Sequence, residues 1–273
     1  MKRVCVIILS YSTYQLTLDL VSSLREHGFK EDILVVDNHS PNDSVAQYKK
    51  RLNELHFYLI QSKVNGGYAR GNNLGLKKAL ELGYDAALIM NNDVIIESVD
   101  SIYAMYHTLQ SDVSIACVSP RIMNPQGDEE THYTWRPSVW DYSLGIFAYK
   151  SRNRAYTLSA TSDFQIYRPN GSCMMLDLAI AEEIHYLDPA TFLYFEEENL
   201  AERLNLIGKT CYCSSDAKVI HNHSVTTHKV LKRWSRTKIY LRSANIYMTK
   251  YREWNLLKRS VCLFTKGLSF FIK

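Results

Sequence analysis

The sequence predicts an α/β fold with a mostly parallel central sheet flanked by helices. Three observations predict it. The apolar runs are too continuous for strands with one wet face, helical patterns alternate with them, and polar clusters sit at the carboxyl end of each run.

Val4 to Leu9 is an unbroken apolar run, as expected of a strand covered on both faces. A helical stretch follows, with Leu20, Val21 and Leu24 on one face and Gly28 closing it. Ile33 to Val36 is the second strand, ending at Asp37, and the turn cluster Asn38 to Ser44 leads into a second helix. Phe57 to Ile60 reads as the third strand. Residues 69–82 form a helix whose Ala69, Asn73, Leu76 and Leu80 share a face, stopped by Gly83. Ala86 to Met90 is the fourth strand, halted by Asn91, Asn92 and Asp93. Ile102, Met105, Tyr106 and Leu109 repeat at helical spacing, and Ile115 to Val118 is the fifth strand.

After Pro120 the pattern loosens. Residues 124–169 are rich in Tyr, Trp, Arg and Ser with little periodicity and read as a long functional loop. Regularity returns at Ser172 to Leu176, in a helix near 197–207 ended by Gly208, and in two strands near 210–213 and 218–221. From Lys229 the chain mixes Lys and Arg with Trp, Tyr, Leu and Phe.

The 273 residues are 46% hydrophobic and 22% charged, which excludes a disordered chain. The net charge of +4 is too mild to imply nucleic acid and suits an anionic small substrate or an anionic membrane face. No run approaches ~18 uninterrupted apolar residues, so a spanning helix is not expected. The six cysteines show no repeated C-x-x-C spacing and read as reduced thiols of a cytoplasmic protein, with Cys211 and Cys213 pointing apart.

In open α/β sheets ligands bind beyond the carboxyl ends of the strands. The polar residues there are Ser10 and Tyr11, Asp37 and Asn38, Asn65 to Tyr68, and Asn91 to Asp93. Any one group is equally a turn; four around one sheet end point to a pocket. Asp93 follows a buried strand, where a carboxylate suits a hard cation such as Mg²⁺ or Mn²⁺; as a helix cap it is less apt, because Val94 to Ile96 intervene. Asn65, Gly67, Arg70 and Asn73 belong to a glycine loop opening a helix, a setting that favours phosphate. It lacks both G-x-G-x-x-G and a P-loop. Glu196, Glu197 and Glu198 start a helix after an aromatic run. They answer the helix dipole or supply a general base beside an apolar wall. Among His221, His223 and His228, the first reads as a lone ligand at a strand end, since cysteine partners for a closed zinc site are missing.

These residues resemble glycosyltransferase family 2, of GT-A fold. The likeness rests on Val35-Val36-Asp37-Asn38-His39-Ser40, the Asn65-x-Gly67-Tyr68-Ala69-x-x-Asn72-Asn73-x-Gly75 loop, Met90-Asn91-Asn92-Asp93-Val94, Pro169-Asn170-Gly171-Ser172, Phe195-Glu196-Glu197 with Arg203, and His221. It implies a nucleotide-sugar-binding half over residues 1–120, an acceptor half over 121–228, together a catalytic domain 1–228, and a basic, aromatic helical extension 229–273. It further implies that Asp37 reads the donor's pyrimidine, that Ser10, Tyr11, Asn38 and Asn92 with the glycine loop border the donor, and that Asp93 and His221 hold Mg²⁺ or Mn²⁺.

Glu197 takes the place of the family's catalytic Asp, with Glu196 as competitor. The expected donor is a UDP- or dTDP-sugar, dTDP-rhamnose included, and the acceptor a saccharide or lipid-linked hydroxyl in bacterial surface polysaccharide synthesis. The tail is expected either to lie on the inner face of the plasma membrane or to pack on the domain or on a second subunit as a homodimer. A nucleotidyltransferase and a non-catalytic sugar-binding relative are the other classes. The former would need a basic glycine loop after the first strand, where Ser10-Tyr11-Ser12 stands.

Overall fold

The computed structural model describes residues 2–222 and 233–271. Its first half runs β1 (Lys2–Ser10), α1 (Tyr14–Glu26), β2 (Ile33–Asp37), α2 (Ser44–Leu55), β3 (Tyr58–Gln61), α3 (Gly67–Glu81), β4 (Tyr84–Asn91), β5 (Val94–Ile95), α4 (Asp100–Ser111) and β6 (Ile115–Met123). The second half runs α5 (Val139–Tyr142), α6 (Ile146–Ser159), β7 (Phe164–Ile166), β8 (Cys173–Asp177), α7 (Leu178–Glu183), α8 (Glu196–Leu206) and β9 (Thr210–His221). Two helices close the described chain, α9 (Arg233–Lys250) and α10 (Leu256–Phe271).

The sheet order is β3-β2-β1-β4-β8-β6-β9-β5, with β7 on β9. Parallel pairing holds β3 to β4 and joins β6 to β9; β8 enters antiparallel between β4 and β6. Alternate residues of each strand enter opposite core layers. Val4, Val6 and Ile8 face α1, α2 and α4 with Ile33, Val35, Leu88 and Met90. Cys5 and Ile7 face α3 and α8 with Leu34, Val36 and Ile89. Helices on both faces are why these strands read as unbroken apolar runs.

Several expectations need correction. Residues 124–169 are not one loop. They hold α5, α6 and β7. Ser138 and Asp141 form a capping box for α5, and Arg121 ties the segment down by bonding Glu129 at 2.8 and 2.9 Å and the carbonyls of Thr157 and Ala160. The two strands near 210–221 are one, β9, with a register shift opposite Pro120 and Arg121. The third strand is one residue later than expected, and α7, capped by Asp177, was not foreseen. Cys211 and Cys213 share a core layer, as residues two apart on a strand must. All six cysteines are buried free thiols.

The C-terminal helices pack on the domain. Tyr142 and Phe195 form a third core with Ala244, Tyr247, Met248 and Cys262. Among the described residues no helix is long and apolar enough to cross a membrane.

Candidate active site

Register brings the strand ends into one row, since Ser10 pairs with Asp37 and Leu9 with Asn91. The polar residues there divide into framework and open groups. Ser10 is buried and accepts the Tyr48 hydroxyl at 2.6 Å, and Tyr11 follows it, half-buried. Asn92 donates to Thr13 Oγ1 at 2.7 Å and Thr17 Oγ1 at 2.9 Å. Asn73 clasps the Leu187 backbone with both ends of its amide, at 2.8 and 2.9 Å. These three spend those groups on the protein.

Asn38 shapes the glycine loop. Its amide donates to Asn65 Oδ1 and the Gly67 carbonyl and accepts from the Gly66 amide. Gly67 has φ +81°, and a Cβ there would lie 2.1 Å from the Phe192 carbonyl oxygen, so only glycine lets the loop dock on residues 191–192. Asp37 differs from its neighbours. Oδ2 accepts the Ser40 amide at 3.0 Å, while Oδ1 is buried with no hydrogen-bond partner among the described residues. Arg70 is exposed on the first turn of α3 and lines a cavity of about 440 Å³ with Asn65, Gly66, Thr191 and Arg242.

Asp93 meets His221 because β5 pairs with the end of β9, Val94 opposite His221. Asp93 Oδ1 is 3.4 Å from His221 Nε2, and Glu130 Oε1 is 3.4 Å from Nδ1. Burial works against a charged imidazole here, but the carboxylates of Asp93 and Glu130 overcome it and raise its pKa to about 9. A buried carboxylate oxygen beside an imidazole nitrogen is a fit donor set for Mg²⁺ or Mn²⁺, which would displace the proton from Nε2. Glu130 would then hold Nδ1 and fix the ring. Among the described residues no group of three or more His, Cys, Asp or Glu is arranged to hold a metal alone. His223 and His228 lie outside the described residues.

The turn Asn170–Ser172 joins this pair to α8. Asn170 Nδ2 donates to Glu130 at 3.2 Å, the Asn91 amide donates to the Ser172 carbonyl at 2.8 Å, and the Tyr68 hydroxyl donates to the Gly171 carbonyl at 2.6 Å. A Cβ at Gly171 would stand 2.1 Å from Glu197 Oε1, so this carboxylate lies directly over the turn.

Glu197 is half-buried, and its two neighbours sit in different surroundings. Glu196 is 4% exposed, its Oε1 has no hydrogen-bond partner among the described residues, and burial, reinforced by Glu197, raises its pKa to about 8. Glu198 Oε1 meets Arg168 Nε at 3.0 Å; burial raises its pKa even against that cation. The guanidinium of Arg168 stacks 4.5 Å from the Tyr133 ring centre. Tyr194 (φ +72°) and Phe195 (φ +70°) enter α8 in left-handed conformations that cost side-chain-bearing residues energy, and the surrounding third core holds them there.

Glu202, two turns into α8, anchors the helix. It accepts Tyr167 at 2.6 Å and Arg136 at 2.9 and 2.5 Å, and Tyr247 from α9 at 3.2 Å. Sequence reasoning missed Glu130, Arg168 and Glu202, because their partners are brought by tertiary structure from stretches without periodicity. The one available signal was the position of Arg168 directly before Pro169-Asn170-Gly171-Ser172.

A mixed sheet with helices on both faces, a strand-end acid beside a histidine and a carboxylate-bearing helix over the Asn170–Ser172 turn are the makings of a GT-A protein. Comparison with known proteins narrows the class. The model of "Glycosyl transferase family 2" matches residues 5–185, and the chain belongs to that family. It is 30% identical over 193 residues to the low-salt glycan biosynthesis hexosyltransferase Agl10 of Haloferax volcanii, a match over 70% of this chain and 58% of that protein.

Solved structures share the fold. A mannosyltransferase from Pyrobaculum calidifontis, in complex with GDP-Man and Mn²⁺, superposes with TM-score 0.61 at 14% identity, over 97% of this chain and 73% of its own. GalNAc-T7 with UDP, GalNAc and Mn²⁺ gives 0.65 at 13%, over 92% and 49%. S. aureus TarS residues 1–349 with UDP-GlcNAc gives 0.60 at 15%, over 98% and 73%.

Proposed function

We propose that the protein transfers a sugar from a nucleoside-diphosphate donor to an acceptor hydroxyl with inversion at the anomeric carbon. One observation carries this reading: the Asn170–Ser172 turn bonds Glu130, the partner of His221, through Asn170 and lies under the Glu197 carboxylate at Gly171. Glu197 takes the proton of the acceptor hydroxyl, whose oxygen forms the new bond to the anomeric carbon. The bond from that carbon to the diphosphate oxygen breaks, and its electron pair leaves with the nucleoside diphosphate. Asp93 and His221, with donor phosphate oxygens, would hold Mg²⁺ or Mn²⁺, which supplies Lewis-acid stabilisation of the leaving diphosphate.

Glu197 is preferred to Glu196 as the base. Glu196 is buried, its pKa is raised by burial and by Glu197, and it lies on the Thr191 side of the helix start. The buried Asp37 Oδ1, without a hydrogen-bond partner among the described residues, suits the imide N–H of uracil or thymine, in keeping with a UDP- or dTDP-sugar, dTDP-rhamnose among them. The acceptor on this reading is a saccharide or lipid-linked hydroxyl in surface-polysaccharide assembly.

The test is a panel of sugar nucleotides with Mn²⁺, scored for free nucleoside diphosphate with and without acceptor. Release with one donor and its loss in Glu197→Gln supports the reading. Donor binding without any turnover would make the chain a sugar-nucleotide-binding relative and overturn it.

A further inference from the structure

The cavity at the start of α3 holds two arginines that the proposed transfer chemistry leaves unused. Arg70 comes from the first turn of α3 and Arg242 from α9, and both line a space of about 440 Å³. Among the described residues no carboxylate lines this cavity, and neither guanidinium has a hydrogen bond or an ion pair. Asp188, next to the lining residue Pro189, is taken by Lys250 at 2.7 Å and by the Tyr251 hydroxyl. Two unopposed guanidinium groups on one space favour an oxyanion, and their planar forks match a carboxylate or a phosphate.

The walls are fixed before any ligand arrives. Ser243 Oγ of α9 donates to the Leu193 carbonyl at 2.8 Å, and the Lys250–Asp188 pair ties the same loop to the end of α9. The Tyr68 amide donates to the Phe192 carbonyl at 3.0 Å, which holds α3 to the other side of that loop. Thr191 lines the cavity at 1% exposure, and its Oγ1, near the Glu196 carboxyl, has no hydrogen-bond partner among the described residues. Asn65 Oδ1 accepts from Asn38 and from the Gly67 amide, which leaves its Nδ2 to the cavity. Beside these polar groups stand Pro189, Ile239, Ile246 and the 40% exposed Phe192. A bare ion has no use for that apolar wall. A ring with hydroxyls on its rim and C–H bonds on its faces meets both surfaces. A donor diphosphate is placed elsewhere on the transfer reading, since Asp93 follows β4 whereas Asn65 follows β3, three places along the sheet.

We infer that the cavity between the glycine loop, residues 189–192 and α9 binds an acidic sugar, with its carboxylate or phosphate across Arg70 and Arg242. That the ring is a sugar rests on the glycosyl-transfer reading; the anion site does not.

The test is a ligand-observed NMR titration of the full chain with methyl glucuronoside, glucose 6-phosphate, methyl glucoside and inorganic phosphate. The acidic sugars should bind at least about tenfold more tightly than methyl glucoside or inorganic phosphate. Arg70→Ala and Arg242→Ala should each weaken methyl glucuronoside at least about tenfold and leave methyl glucoside as it was. Arg242→Lys should keep part of the affinity, as a point charge without the fork. Unchanged thermal melts show that these variants fold.

Competition separates the sources of the acid. Methyl glucuronoside displaced by UDP-glucuronate but not by UDP-glucose places the acid on the donor, and displacement by neither places it on the acceptor; both results support the inference. Displacement by UDP-glucose as well would make the cavity the seat of the donor diphosphate and overturn it. So would equal affinity for methyl glucoside, inorganic phosphate that binds as tightly as the acidic sugars, or arginine variants that bind as the wild type does. Release of nucleoside diphosphate with the sugar-nucleotide panel is read separately. Release without acidic-sugar binding strikes this inference alone, and binding without release strikes the reaction alone.

Discussion

The two halves of the sheet end, one proposed to face the donor and the other the acceptor, are built in opposite ways. Around β1, β2 and β4 the polar residues are bonded to one another and to backbone: Ser10 to Tyr48, Asn38 to Asn65 and Gly67, Asn92 to Thr13 and Thr17. Around α5, α6 and α8 the surface is aromatic and charged, entered through two left-handed residues and opened by cavities. A bonded rim holds one shape at low cost and suits a constant partner such as a nucleotide. A rim of rings and long charged side chains tolerates exchange, as acceptor recognition requires.

The contrast is open to breaking. Glu197→Gln should have the largest effect, a fall in kcat of roughly 10²–10⁴-fold with donor affinity kept, measured by initial rates beside calorimetric donor titration. Equal loss in both would move Glu197 to the donor rim. Asp93→Ala should weaken donor binding with Mn²⁺ present by about 1–3 kcal/mol and leave binding without metal nearly unchanged. An affinity indifferent to metal in the wild type would refute the Asp93–His221 site.

Two further variants sharpen the comparison through stability. Glu202→Ala strips the carboxylate from Arg136, Tyr167 and Tyr247 and should cost about 3 kcal/mol in denaturant unfolding. Asn73→Ala breaks only the Leu187 clasp. A cost of ~2 kcal/mol with an unaltered KM for donor would mark it as framework, and a raised KM would return it to the binding rim.

The smallest effect is a slope. Glu196 has its pKa raised in the fold from 4.5 to about 8, so the folded state keeps a proton that the unfolded chain loses. Stability should therefore decline as pH rises through that window and level off above it, and Glu196→Gln should flatten the decline in thermal melts. A parallel pair of curves would show Glu196 ionised in the fold.

The same contrast decides how much the sequence disclosed. Val4 to Leu9, Ile33 to Val36 and Ala86 to Met90 are legible because both faces of each strand are covered, and the strand ends followed from the architecture. The region of α5, α6 and β7 was nearly silent. β7 has three residues, α5 has four and uses Asp141 in its capping box, and α6 buries Tyr149, Asn153 and Thr157 rather than an apolar stripe. Glu130 became visible only beside His221, and the roles of Ser10, Asn73 and Asn92 only once their partners were in place. Residue type named the acids. Their division into half-buried carboxylate, ion pair and buried acid is a property of what surrounds each.

Gly171 gives the site an exposure to inheritance that none of its acids has. Glu197 occupies the space where any side chain at 171 would begin, and the same turn bonds the neighbourhoods of Asn91, Tyr68 and Glu130. A single added methyl group would have to displace the Glu197 carboxylate, the base of the proposed reaction, while leaving every acid in the chain intact. On the proposed mechanism, descendants of this sequence can lose the reaction with all their carboxylates still in place, and a search for inactive relatives by missing acids would pass them over.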